Sequence, residues 1–296
     1  MKIIAGLFFL LFFLPAAESQ IIDNRLGNAF KEEMYFNREF LWQNKVKKIT
    51  GTFSIKRPNR PIDQRPDLLV FEFNEIGLLS KIDKITSVLS LVDSLTVLFK
   101  RNDLGEVEIR NEKSKKGFYS TKFIYEEGKV VRIDYEKSEN LSEDSKKLEA
   151  GKSTLINSES FVYAEAGTLA SRKSSYNNYS LLYSNEIVTK NELGFIVSRK
   201  EELTMSGKTR EAVYTYNDKG WVSKISYTDN AGGAPRSDEF YYDEIGNLLK
   251  VEYRENGDLL KEIEVLYTET MMIEALINHD LKSHDIEIVK FQYEYY

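Results

Sequence analysis

A hairpin-like pattern recurs along this chain at intervals of about 26 residues, and it restricts the fold more than any other feature. The clearest copies are residues 213–227 and 240–253, which align on Gly220 and Gly246. In each copy, aromatic residues spaced two apart precede the glycine and alternating apolar residues follow it. Because strand side chains alternate between two faces, each copy predicts a β-hairpin with one apolar face. Weaker copies have their glycines at positions 77, 105, 128, 167 and 194.

The turns of these hairpins contain the residue types that a tight backbone reversal needs. Glycine adopts positive φ without a steric cost, and Asn or Asp side chains bond to nearby backbone amides. Aromatic residues on the flanking strands are expected to pair across the sheet and to form its core. The positions that define the repeat are therefore Tyr216, Asn217, Gly220, Tyr227, Tyr242, Asp243, Gly246, Asn247 and Tyr253.

The repeat predicts a mostly β fold: an antiparallel β-hairpin array of seven units in an extended or curved meander sheet. One hairpin buries too little apolar surface to be stable alone, so neighbouring units must pair or stack. The pattern leaves open whether the array stays flat, winds into a solenoid or closes. Residues 46–56 and 286–296 alternate like further strands. Phe30, Met34 and Leu41 stand at helical spacing, which predicts a short N-terminal helix that caps one end of the sheet.

Residues 242–248 resemble the YD repeat of RHS-type proteins, whose pattern is Tyr-Asp, two variable residues, Gly, Asn or a similar residue, then Leu. Residues 216–220 resemble it with Asn in place of Asp, and residues 73–77 keep the spacing with Phe and Asn. The resemblance extends over residues 67–267. It implies a β-hairpin array of the kind found at bacterial surfaces, in the shells of secreted toxins and in adhesive or carbohydrate-binding proteins.

The first 19 residues have the features of a secretory signal peptide. Lys2 precedes an apolar run over residues 3–14, and Ala17 and Ser19 occupy the small-residue positions before a cleavage site. The run is shorter than the roughly 18 apolar residues that a membrane-spanning helix needs, and no later run is long enough. The sequence therefore predicts export to the periplasm, the cell surface or the exterior, with no helical membrane span. Residues 20–66 then form an N-terminal cap with a Pro-rich connector, and residues 67–296 form the repeat domain.

Composition removes several classes of function. The chain has 41 Lys and Arg against 47 Asp and Glu, a net charge of −6, which argues against a nucleic-acid partner. The absence of cysteine excludes disulfides, thiolate zinc sites and iron–sulfur clusters. Residues 150–154 match the end of a phosphate-binding loop, but Lys146 stands where that motif needs glycine. His279 and His284 lack a third metal ligand at suitable spacing. We therefore expect no catalytic, cofactor-binding or metal-binding residues and no enzyme activity.

Three functions are compatible with an exported β protein of this kind. The sequence favours a non-enzymatic binding or scaffolding surface at the bacterial cell envelope, with an unknown protein or glycan as partner, because exposed aromatic rings can stack on sugars. An outer-membrane β-barrel is the alternative, since aromatic-rich strands behind a signal peptide are typical of that class. It ranks second because the face of Tyr216 reaches Arg210, and that of Tyr242 reaches Asp238, after one or two further apolar positions. A secreted hydrolase on a β scaffold ranks third, because no site for it is visible.

Overall fold

The computed structural model describes residues 20–31, 36–88, 91–114, 117–141 and 150–296. The predicted signal peptide, residues 1–19, and Met34 lie outside these ranges. Within them a single short helix, α1 (Arg38–Gln43), precedes 18 strands. The strands are β1 (Val46–Lys56), β2 (Ile62–Phe73), β3 (Leu79–Val88), β4 (Leu91–Arg101), β5 (Val107–Ser114), β6 (Gly117–Glu126), β7 (Lys129–Asn140), β8 (Ala150–Gly167), β9 (Ala170–Tyr176), β10 (Leu182–Lys190), β11 (Ile196–Leu203), β12 (Lys208–Tyr216), β13 (Val222–Asp229), β14 (Arg236–Tyr242), β15 (Leu248–Glu255), β16 (Asp258–Tyr267), β17 (Ile273–Asp280) and β18 (Ile286–Tyr295). Among these described residues, no helix has the length and apolar content to cross a membrane.

The strands close into a ring. Each strand pairs antiparallel with the next one in sequence, and β18 pairs antiparallel with β1. At this seam Ile49 lies opposite Tyr293, and Lys56 lies opposite Ile286. The sheet is therefore a closed barrel of 18 strands, and closure gives hydrogen-bond partners to the two strands that would be edges of an open array.

Closure shows that two predictions from the sequence are wrong. The protein is not an open hairpin array, and its assignment to the RHS-type YD repeats is wrong as well, because the first and last strands join into one barrel. The physical reason is that the repeat pattern specifies local hairpins. It carries no information on the pairing of β1 with β18, whose residues are more than 200 positions apart. The barrel architecture of the second-ranked alternative is thus confirmed.

The N-terminal segment, which we define as residues 20–44, identifies the inner face of the wall. Ile21 and Ile22 are fully buried in one apolar cluster with residues of β1, β2, β4, β13, β15 and β18. A short segment can contact so many strands of a ring only from inside it. The wall residues of this cluster include Ile49, Phe71, Val97, Ile225, Val251, Val289 and Phe291. The core of the molecule is therefore the apolar region of the barrel interior, completed by the N-terminal segment.

The predicted helical cap on the sheet is also wrong, in both its extent and its place. Among the described residues of this segment, helix is confined to the six of α1, and Asn37 caps them by accepting hydrogen bonds from two backbone amides. Before α1 the described chain makes turns over residues 24–27 and 28–31, and Ile22 forms a β-bridge with Phe36. Leu41 is 1% exposed and belongs to the interior cluster. The segment is a plug inside the barrel, because the apolar inner face is closed and offers no external surface for a cap.

Antiparallel strand order places alternate turns at opposite ends of the barrel. A Cβ added to Gly77, in the β2–β3 turn, would lie 2.4 Å from the Arg38 carbonyl oxygen of α1. A Cβ added to Gly246, in the β14–β15 turn, would lie 2.2 Å from Gln20 Nε2. The N-terminal segment therefore lies against this end of the barrel, which we call the plugged end. We call the opposite end, which contains the β13–β14 connection, the free end.

The outward face of the wall carries ion pairs between neighbouring strands. On β13 to β15, Lys224 pairs with Glu239 at 2.8 Å, and Arg254 bridges Glu239 at 3.5 Å and Glu252 at 2.6 Å. Cross-strand ion pairs on this face recur elsewhere: Lys48–Glu294, Lys81–Glu72 and Lys122–Glu136. The chain thus places its apolar cluster inside the barrel and a network of charges on the outside.

Candidate functional site

The barrel lumen contains a cavity of about 1300 Å³ beside the apolar cluster. Its lining comes from the ten consecutive strands β7–β16 and from Phe30 and Lys31 of the N-terminal segment. Strand register places the lining residues side by side: Lys173 lies opposite Glu186, which lies opposite Glu201. The cavity is therefore the candidate functional site, because rigid strands surround it on many sides.

Charged side chains of both signs line the cavity in equal number. Six that point into the lumen are cationic: Lys31, Lys173, Arg199, Arg210, Arg236 and Lys261. Six are anionic: Glu159, Glu186, Glu201, Asp229, Asp238 and Glu255. Arg254 and Glu211 also border the cavity, but strand register places both on the outward face. The lining as a whole is therefore close to neutral, and it offers both hydrogen-bond donors and acceptors.

Many of these charges are paired on the inner wall. Glu186 lies 3.2 Å from Lys173 and 3.4 Å from Arg199, and so joins three neighbouring strands. The Ser184 hydroxyl donates to Glu201 at 3.0 Å. Fixed pairs of this kind present oriented groups to a polar molecule in the lumen, while the pairing reduces the cost of holding each charge there.

Aromatic rings interrupt the charged lining. The Lys173 ammonium lies 5.4 Å from the centroid of the Phe161 ring. Phe30, Tyr183, Tyr227 and Tyr253 also line the cavity. Rings beside polar groups can bind a molecule that has both an apolar face and hydroxyl or amine groups.

The most buried charge of this site is Asp238 on β14, whose residue is 7% exposed. The Tyr227 hydroxyl donates to the Asp238 carboxylate at 2.8 Å, and the Lys31 ammonium lies 3.1 Å from the same carboxylate. The Lys31 ammonium also donates to the Tyr227 hydroxyl. Tyr253 lies directly opposite Asp238 on β15. Burial, reinforced by the Asp238 charge, raises the pKa of Tyr227 far above its ordinary value, so this phenol stays neutral.

Most of the predicted repeat positions lie at the plugged end, away from the cavity. Asn217 accepts from the amides of Lys219 and Trp221 at 3.1 and 3.0 Å, and Asp243 accepts from the amide of Asn247 at 2.8 Å. The glycines of these two turns, Gly220 and Gly246, have φ of +81° and +99°. These positions build the turns. Asn247 is fully buried and donates to the Asp243 carboxylate at 2.7 Å.

The two repeat tyrosines that precede these turns tie strands together. The Tyr216 hydroxyl donates to the Ile196 carbonyl at 2.7 Å, and the Tyr242 hydroxyl donates to the Val222 carbonyl at 2.8 Å. Burial raises the pKa of Tyr242 to about 12. Tyrosines of other hairpins make the same bond to the neighbouring strand: Tyr125 to Val107, Tyr267 to Leu248 and Tyr293 to Ile273.

Of the repeat positions, the structure brings only Tyr227 and Tyr253 together at the cavity, on either side of Asp238. Reasoning from the sequence missed Asp238 and Lys31. The signal for Asp238 was its position two residues before Phe240, which places a carboxylate on an otherwise apolar face. Nothing in the sequence indicates that Lys31, some 200 residues away, would reach it.

The two histidines lie elsewhere. His279 is on β17, with Nδ1 3.4 Å from Glu262 Oε1, and His284 lies in the turn before β18. Among the residues that the structure describes, no group of three or more His, Asp or Glu is arranged to hold a metal ion.

No protein-family profile and no curated protein sequence matches this chain. Solved structures to which this chain is similar include a porin-like protein from Bacteroides uniformis ATCC 8492, with a TM-score of 0.42 and 7% identity over 84% of this chain and 98% of that chain. A porin-like protein from Bacteroides vulgatus ATCC 8482 has a TM-score of 0.38 and 12% identity over 76% of this chain and 98% of that chain. A LolA superfamily protein from Nitrosomonas europaea has a TM-score of 0.24 and 10% identity over 84% of each chain.

Proposed function

We propose that this protein is an exported, non-enzymatic β-barrel of the bacterial envelope that binds a small polar ligand in its lumen. The observation that carries the proposal is the luminal cavity, which ten consecutive strands surround. A concave site on rigid elements, with converging polar groups, is the usual setting for small-molecule binding. The wall holds the site in shape, and the N-terminal segment contributes to its lining.

The lining favours a ligand of the saccharide class. The six cationic and six anionic side chains that point into the lumen balance, so a ligand with a large net charge would leave some of the lining uncompensated. The rings of Phe161 and Tyr183 provide apolar faces for stacking, and the paired carboxylates and guanidinium groups provide bonds to hydroxyls. A sugar ring has this combination of an apolar face and a polar edge.

A second candidate is an outer-membrane β-barrel, which the closed ring of antiparallel strands favours. The outward ion-pair network weighs against a wall that faces lipid. A single Lys or Arg on the lipid face costs about 2–4 kcal/mol near the bilayer midplane. Lys224 on β13 and both Lys250 and Arg254 on β15 stand on that face, linked through Glu239 and Glu252. For this reason our proposal favours an aqueous compartment of the envelope or the exterior of the cell.

Solubility without detergent separates these two candidates. We expect residues 20–296, expressed without detergent, to elute as a compact species in size-exclusion chromatography and to give a β-type circular dichroism spectrum. A chain that folds only in detergent, and that migrates differently on a gel when unheated, would favour the outer-membrane barrel instead.

Ligand binding is tested with a matched pair of variants on one strand. Phe161 lines the cavity, whereas the next residue, Val162, is 55% exposed on the outward face of β8. A glycan array first identifies the sugars that the wild type binds. We expect Phe161→Ala to bind these sugars with about tenfold lower affinity, because loss of a stacking ring removes about 1 kcal/mol or more. Val162→Ala should bind like the wild type. Equal binding by the three proteins would contradict a luminal site.

A further inference from the structure

We propose that the lumen contains a subsite for a primary ammonium group, formed by Asp238 and Tyr227 beside Tyr253, and that Lys31 occupies it as a tethered ligand. The inference deepens the proposed luminal binding function and rests on it. It identifies one group that the natural ligand carries: an amine, as in an amino sugar.

The geometry around Lys31 is that of an ammonium receptor. Its Nζ lies 3.1 Å from the Asp238 carboxylate and 4.9 Å from the centroid of the Tyr227 ring, and it donates to the Tyr227 hydroxyl. An ammonium has three donors, and here it meets the Asp238 carboxylate and the Tyr227 hydroxyl. The Tyr227 hydroxyl in turn donates to Asp238 at 2.8 Å, which fixes the orientation of both acceptors.

The receptor residues and the bound ammonium come from different regions of the molecule. Tyr227, Asp238 and Tyr253 lie on three adjacent strands of the wall, so their arrangement is set by the sheet register. Lys31 belongs to the non-helical portion of the N-terminal segment, and its side chain is 31% exposed. Lys31 and Asp238 both line the cavity, so a molecule in the lumen can approach the carboxylate without breaking any strand pair.

Charge balance points to the same ligand chemistry. The lining is balanced only when the Lys31 ammonium is included. If this ammonium leaves, the 7% exposed Asp238 carboxylate loses its ion pair in a poorly hydrated place, which is costly. A ligand that brings its own ammonium replaces the lost partner, whereas a ligand without one does not.

A tethered lysine competes with free amines. A group held by a short linker has an effective concentration in the millimolar range, so a free amine must exceed it to displace Lys31. Removal of the Lys31 ammonium should therefore raise the apparent affinity for a simple alkylamine by about tenfold or more.

The experiment measures thermal unfolding of the full chain from residue 20 to residue 296 in rising n-butylammonium chloride, at constant ionic strength maintained with NaCl. Butylammonium reproduces the end of a lysine side chain. We expect a saturable rise in Tm of roughly 2 °C or more for Lys31→Ala and for Lys31→Met, which keeps the apolar stem. Lys47→Ala, which removes an exposed lysine of β1 and retains Lys31, should behave like the wild type. Tetramethylammonium, which has no N–H donors, should give a weaker effect.

The double variant Lys31→Ala/Asp238→Asn decides whether the subsite is the one proposed. Its Tm should not respond to butylammonium. A response that persists in the double variant, or no saturable response in either Lys31 variant, would overturn the inference. If neither Lys31 variant folds, the wild type is titrated and the Lys31 side-chain resonance is followed by NMR, where an unchanged resonance overturns the proposal. Sugar binding that depends on Phe161 without any amine response would reject the ammonium subsite and leave the luminal function intact.

Discussion

At the plugged end, tyrosine hydroxyls join pairs of strands that no turn connects there. β11 and β12 are joined by a turn at the free end, and β13 and β14 are joined there as well. At the plugged end, the Tyr216 and Tyr242 hydroxyls bond to the first carbonyl of the partner strand. Each such pair of strands is thus held at both ends. This explains why the repeat has Tyr directly before Asn or Asp: the tyrosine ties the strands, and the next residue builds the turn.

At high pH, stability should fall because of these buried tyrosines. Burial raises the pKa of Tyr242 to about 12, against about 10 in an unfolded chain. Below pH 10 the phenol is neutral in both states and its contribution is fully present. Between about pH 10 and about pH 12 only the unfolded chain releases the proton, so each such tyrosine lowers stability by about 1.4 kcal/mol per pH unit. Urea unfolding at about pH 9, 10 and 11 should show this decline, and Tyr242→Phe should make it shallower. An equal slope in the variant would contradict the assignment.

At the scale of elements, strands and turns could be predicted from local patterns, and the helix could not. Residues 46–56 alternate and form β1 over the same range, because alternation reports directly on a face of a strand. Helical spacing from Phe30 to Leu41 was misleading: the buried residues of this segment are selected by the barrel interior, so their spacing reflects contacts with several strands. Only Arg38–Gln43, with Asn37 as its cap, has a local reason to be helical.

The N-terminal segment should therefore contribute to stability through its apolar residues. Ile22 is fully buried in the interior cluster, whereas Leu26 of the same segment is 50% exposed. We expect Ile22→Ala to lower the free energy of unfolding by about 2–4 kcal/mol, since it leaves a cavity among β-strand side chains. Leu26→Ala is the matched control and should cost less than about 0.5 kcal/mol. Chemical denaturation measures both, and equal effects would show that the segment does not plug the barrel.

At the scale of the whole molecule, closure and membrane insertion are separate properties, because a sheet can close into a ring without facing lipid. Arg210 and Asp238 count against a lipid-facing wall only if their face is the outer one. Both line the lumen, so they say nothing against a barrel. The alternation of apolar and polar residues could not distinguish the inner face from the outer one. The inner face is apolar near the N-terminal segment and charged around the cavity. The seam between β1 and β18 left no local signal at all.

The seam itself can be tested because the chain has no cysteine. Thr50 on β1 lies directly opposite Gln292 on β18 and points outward. Directly opposed residues of antiparallel strands have Cα atoms about 4.5–5.5 Å apart, which suits a disulfide. We expect Thr50→Cys/Gln292→Cys to oxidise to an intramolecular disulfide in the folded protein and to raise stability by about 2–4 kcal/mol, because it closes a very long loop.

The control places the second cysteine on a distant section of the ring. Ser198 on β11 also faces outward, as its register partner Val213 does, and β11 is far from β1 in strand order. Thr50→Cys/Ser198→Cys should keep both thiols free after the same oxidation, as measured by mass spectrometry of blocked and unblocked thiols. An open sheet would hold β1 and β18 at opposite edges, so both pairs would then stay reduced. Oxidation of the seam pair alone is the result that only a closed barrel produces.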